Sequence, residues 1–92
     1  MSRRIPCAVV GATGLAGQQV LAVLERHPRF EVVKLAASSR SAGKKYLDAI
    51  REPSGQLKWY AGGTAPEAFA GLTVEDASQM DARGLGAVFS AL

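Results

Sequence analysis

Gly11, Gly14 and Gly17 fall within the run Gly11-Ala12-Thr13-Gly14-Leu15-Ala16-Gly17, between an apolar stretch, Ile5 to Val10, and an amphipathic one, Leu15 to His27. Glycines spaced this way where a strand turns into a helix suit the binding of a dinucleotide pyrophosphate. Gly11 permits the tight turn, Gly14 lets backbone approach phosphate with no Cβ in the way, and Gly17 lets the helix pack closely on the strand. The helix start adds unpaired N–H groups and a partial positive charge facing the anion.

A second group of residues bears on which dinucleotide. At the end of the next apolar run, where an Asp or Glu would take the ribose hydroxyl of NAD, the chain reads Ser38-Ser39-Arg40-Ser41-Ala42-Gly43-Lys44-Lys45. Arg40 offers a guanidinium fork and the serines offer hydroxyl donors, with no carboxylate to repel an adenosine 2′-phosphate. The pattern favours NADP over NAD.

These groups need a frame. Ile5 to Val10 is apolar without alternation, as in a parallel strand buried on both faces, and Pro6 is tolerable at its start. Ala16, Val20, Val23, Leu24 and His27 recur at helical spacing, with Gln18, Gln19, Glu25 and Arg26 largely off that stripe, which predicts one amphipathic helix over 15–27 stopped by Pro28. His27 then stands near the negative end of the helix dipole. Phe30 to Ala37 reads as a second strand, completing a βαβ unit. Further on, the pattern predicts a helical turn over 46–51, irregular chain over 52–63 with Trp59 and Tyr60 as loop anchors, a short strand over 72–75, a polar connector over 76–83 and a buried parallel strand over 86–92. The fold class is α/β, an incomplete Rossmann-type parallel sheet forming residues 1–92 as the amino-terminal part of one domain.

Composition narrows the alternatives. The net charge of +3 is unevenly spread: ten Lys/Arg stand against four acidic residues through Lys58, and only Arg83 against four acidic residues thereafter. The basic half is the half with the glycine loop, so a phosphate-bearing ligand accounts for the bias. No basic helix face, zinc-finger spacing or aromatic RNA-binding motif points to nucleic acid. No apolar run is long enough to span a bilayer, and the basic start lacks the uninterrupted apolar region of a secretory signal. Cys7 is the single cysteine, leaving no internal disulfide and implying a cytoplasmic setting. It reads as a small buried apolar residue. There is no P-loop, nucleophile elbow, metal-ligand cluster or internal repeat.

Three blocks, Val9-Val10-Gly11-Ala12-Thr13-Gly14, Leu35 to Tyr46 and the closing Val88-Phe89-Ser90-Ala91-Leu92, give the whole chain a resemblance to the amino-terminal part of the aspartate-semialdehyde dehydrogenase family, in its archaeal and fungal-like branch. The resemblance implies that Gly11, Thr13, Gly14, Leu15 and Ala16 lie on the pyrophosphate of NADP. It likewise implies Ser38, Arg40 and Ser41 on the 2′-phosphate, with Ser90, Ala91 and Leu92 lining the cofactor cleft. Such enzymes reduce aspartyl phosphate to aspartate semialdehyde with NADPH, through a cysteine thioester and a histidine acid/base, on the route to lysine, threonine and methionine. Neither catalytic residue is expected in this stretch, and Cys7 and His27 do not stand in for them. The full-length enzyme is expected to bind its small-molecule substrate in a further domain and to form a homo-oligomer, and this chain alone to be inactive. N-acetyl-glutamyl-phosphate reductase and malonyl-CoA reductase share the architecture and remain alternatives, as does a non-catalytic NADP-binding module.

Overall fold

The computed structural model describes residues 4–91. Leu92, one of the three expected cleft residues, lies outside them. Strand β1 (Ile5–Val10) is central in a four-stranded sheet of order β3-β2-β1-β4, with β2 at Phe30–Ala37, β3 at Val74–Asp76 and β4 at Ala87–Ser90. Every pairing is parallel. Cys7, Ala8 and Val9 are consecutive and fully buried, so β1 is covered on both faces, as its unbroken apolar run requires.

The register lines up the carboxyl ends. Val10 lies opposite Ala36 of β2 and Ser90 of β4, and Ala37 opposite Asp76 of β3. The loops after β1 and β2 and the residue that follows β4 therefore leave the sheet at one edge. Because β2 and β4 flank β1 on opposite sides, that edge holds the point where strand order reverses, the usual ligand crevice of an open α/β sheet.

Helix α1 (Leu15–Leu24) departs from expectation in length and in rotation. It ends three residues before His27, and the His27 N–H instead reaches the Leu24 carbonyl at 3.2 Å, a tightened turn before the proline. His27 is thus beyond the last helical turn, where its Nδ1 accepts the Arg29 N–H at 3.0 Å and its ring lies 5.1 Å from that of Phe30. The buried face is Gly17, Gln18, Leu21 and Leu24, not the expected Ala16, Val20 and Val23 stripe. Val23 is 71% exposed. The cause is Gly17: its contact with the glycine loop turns the helix by one residue, about 100°. Ala16, Val20 and Val23 line an open apolar groove with Phe89 of β4.

The second half is shorter in its elements than its pattern suggests. The 46–51 turn is α2 (Tyr46–Ala49), and the third strand begins two residues late, Thr73 making only an isolated antiparallel bridge with Lys45. A helical turn, α3 (Glu67–Ala70), was not expected; it starts after Pro66 and is anchored by buried Phe69. Strand β4 is half-exposed rather than buried, with Val88 45% exposed. As an edge strand it pairs with β1 alone. Tyr46, Ile50 and Phe69 extend the core beyond the sheet, packing with Val74 of β3. Among the described residues, no helix is long and apolar enough to cross a membrane.

Candidate functional site

The loop after β1 is held by backbone groups. The Ala36 carbonyl at the end of β2 accepts both the Gly11 N–H, at 2.8 Å, and the Ala12 N–H, at 3.1 Å. Gly11 adopts φ +82°, a left-handed conformation that side chains disfavour and glycine takes freely. Gly17 is demanded by space: a Cβ there would come within 2.7 Å of the Gly11 carbonyl carbon and 2.9 Å of the Ala12 Cα. Gly14 is different. Its φ is −80°, it caps α1 with no side-chain hydrogen bond, and a Cβ on it would meet only the Gly11 oxygen, at 3.7 Å. The fold itself does not need glycine at 14, whereas an anion approaching the uncapped first turn would.

Two buried side chains hold this loop from behind. The Tyr46 hydroxyl, at the start of α2, donates to the Ala12 carbonyl at 2.7 Å. Burial pushes its phenol far above the usual range, so it remains a donor. Gln18, 1% exposed and the buried polar residue of the core, donates from Nε2 to the Thr13 carbonyl at 3.3 Å and the Lys58 carbonyl at 2.6 Å, and its Oε1 accepts the Tyr60 N–H at 2.6 Å. This satisfies the amide and ties the 58–60 segment to α1. Trp59 packs on the core and its Nε1 donates to the Gly62 carbonyl at 2.9 Å, as an anchor should, whereas the Tyr60 ring is 62% exposed and only its backbone is held.

Beside the loop opens a polar cavity of about 350 Å³. It brings together Thr13 of the glycine loop with Ser38, Arg40 and Ser41 of the loop after β2. That second loop is a run of tight turns, the Ser41 N–H bonding the Ser38 carbonyl at 3.0 Å, and it is fastened to β3 by the Gly43 N–H on the Val74 carbonyl at 2.8 Å. Lys44, Arg51 and Lys58 line the same cavity. No sequence motif marks Arg51 and Lys58 for this place; the signal they carry in the sequence is the excess of cations up to Lys58. Among the described residues no carboxylate lines the space, although Asp48 stands 4.0 Å from the Arg51 guanidinium. A cavity with this donor set fits a phosphate dianion.

The other expected residues lie outside that cavity. Leu15 is 55% exposed at the helix start, and Ala16 turns its side chain toward the apolar groove. Ser90 and Ala91 sit at the same sheet edge, the Ala91 N–H bonding the Val10 carbonyl at 2.9 Å. Cys7 is fully buried in β1 and its thiol is pushed up by burial, with a smaller contribution from Glu31. That is the environment of a packing residue rather than a nucleophile. Among the described residues no cluster of His, Cys, Asp and Glu could hold a metal ion.

The profile described as semialdehyde dehydrogenase, NAD binding domain, matches residues 6–92. An aspartate-semialdehyde dehydrogenase from Methanothermobacter thermautotrophicus is 38% identical over 84 residues, covering 91% of this chain and 22% of that protein. One from Saccharomyces cerevisiae is 39% identical over 84 residues, covering 91% and 21%. Among solved structures, aspartate semialdehyde dehydrogenase with NADP from Candida albicans superposes with a TM-score of 0.81 at 37% identity, covering 98% of this chain and 24% of that one. The chain spans under a quarter of the length of these relatives. With the glycine loop, the parallel sheet and the matched profile in agreement, the chain belongs to the semialdehyde dehydrogenase family and has the fold of that family's NAD-binding domain.

Proposed function

We propose that this chain is the cofactor-binding part of an NADP-dependent aspartate-semialdehyde dehydrogenase. The observation that carries the reading is the cavity joining Thr13 to Ser38, Arg40 and Ser41 with Lys44 beside them and, among the described residues, no carboxylate in its walls. Gly11, Thr13, Gly14, Leu15 and Ala16 hold the pyrophosphate with backbone at the start of α1. Ser38, Arg40 and Ser41 hold the 2′-phosphate, and Ser90 and Ala91 border the cleft at the end of β4. When bound, the nicotinamide supplies the hydride for reduction of an acyl phosphate. The residues of this chain bind and orient the dinucleotide. The buried, protonated Cys7 and the loop-bound His27 support the view that the nucleophile and the acid/base belong to other parts of the enzyme. The Methanothermobacter, yeast and Candida relatives, each an aspartate-semialdehyde dehydrogenase, support reduction of aspartyl phosphate to aspartate semialdehyde as the reaction of the whole enzyme, and we place that step on the route to lysine, threonine and methionine.

Calorimetric titration of the chain with NADP and, separately, NAD tests the assignment. Saturable binding that favours NADP is expected. Equal affinity for the two, or preference for NAD, would overturn it.

A further inference from the structure

Lys58 carries a charge that the fold does not use. Among the described residues its Nζ meets no hydrogen-bond or ion-pair partner, yet its side chain lines the same cavity as Arg40. Arg51, by contrast, donates to the Gly55 carbonyl at 2.8 Å and has Asp48 nearby, so it is committed to its own turn. The Lys58 backbone is fixed from two sides. Its N–H bonds the Ile50 carbonyl at 2.7 Å, closing a small hairpin after α2, and its carbonyl accepts from buried Gln18 at 2.6 Å. The same Gln18 amide reaches the Thr13 carbonyl of the glycine loop. One side chain therefore spans the pyrophosphate loop and the segment that brings a free ammonium to the 2′-phosphate cavity.

We infer that Lys58 is a second cation for the 2′-phosphate, in the same cavity as Arg40, and that Gln18 is the positioning residue that sets its distance from the glycine loop; this rests on the NADP reading above. A flexible ammonium gains little at an exposed site unless its backbone is held where the charge can reach. The buried amide provides that hold, and it explains a glutamine on the inward face of α1, where an apolar residue would otherwise stand.

Titration of the chain and its variants with NADP and NAD decides the point. Lys58→Ala is expected to weaken NADP binding about tenfold and to change NAD by less than twofold, with most of the loss restored in Lys58→Arg. Gln18→Glu keeps an acceptor for the Tyr60 N–H but removes the donor to Thr13 and Lys58. It should lower the NADP-to-NAD preference in the parent chain and leave it unchanged in the Lys58→Ala background. A purely structural glutamine would weaken both cofactors alike. Arg40→Ala is the reference. If it abolishes the preference while Lys58→Ala is neutral, or lowers both cofactors equally, the role of Lys58 is overturned and the NADP reading stands. A parent chain with no preference for NADP overturns both. A selective Lys58→Ala with a non-selective Gln18→Glu overturns the positioning role of Gln18.

Discussion

The Tyr46 hydroxyl and the Ala12 carbonyl, 34 residues apart in the chain, form a buried 2.7 Å hydrogen bond that clamps the glycine loop onto α2. Tyr46→Phe removes the donor and leaves a buried carbonyl unpaired, at a cost of about 1–2 kcal/mol. Thermal unfolding should show a lower Tm. NADP and NAD affinities should fall together, because the clamp holds the loop for the pyrophosphate and not for the 2′-phosphate.

Alkaline pH should weaken the fold through the same residue and through Cys7. Burial raises both groups above their ordinary values, so the folded chain keeps protons that the unfolded chain gives up. The contribution is complete below the unfolded values, about 8.5 for a thiol and 10 for a phenol. It declines as pH rises past them. Urea midpoints measured from pH 7 to 11 should fall progressively above about pH 8.5, and Cys7→Ala should remove the earlier part of that decline.

Gly14 and Gly17 should separate folding from binding. Gly17→Ala drives a Cβ into the Gly11 and Ala12 backbone and should destabilise by about 3 kcal/mol, the upper part of the overpacking range. Gly14→Ala meets only ordinary contact, at 3.7 Å, and should melt within a few degrees of the parent while losing affinity for both dinucleotides. Circular-dichroism melts read against calorimetric titrations check the contrast.

Arg40 stands where an acidic residue would select NAD. Arg40→Ala should weaken NADP binding by about 1.5–3 kcal/mol, the range of a charge-assisted hydrogen bond, and barely change NAD. Equal losses for the two in parallel titrations would remove Arg40 from the 2′-phosphate.

The rotation of α1 has its own test. Leu21 is fully buried whereas Val23 is 71% exposed. Leu21→Ala should cost about 2–4 kcal/mol, and Val23→Ala should stay within about 0.5 kcal/mol, as denaturant unfolding would show.

The local signals determined much of this protein. An unbroken apolar run from Ile5 to Val10, glycines at 11, 14 and 17 and a second run ending at Ala37 are enough to specify a parallel βαβ unit with a glycine-rich turn. Arg40 in a loop without a carboxylate was legible because that loop follows directly on the second strand. Tertiary structure alone decided which face of α1 turns inward. Ala16, Val20 and Val23 form an apolar stripe as good as Gly17, Leu21 and Leu24, and periodicity cannot rank two stripes 100° apart; the contact between Gly17 and Gly11 does. The same holds for the wall of the polar cavity. Tyr46 reaches Ala12 across 34 residues and Gln18 reaches Lys58, which shares the cavity with Arg40, across 40, both through hydrogen bonds to backbone carbonyls that leave no trace in residue order.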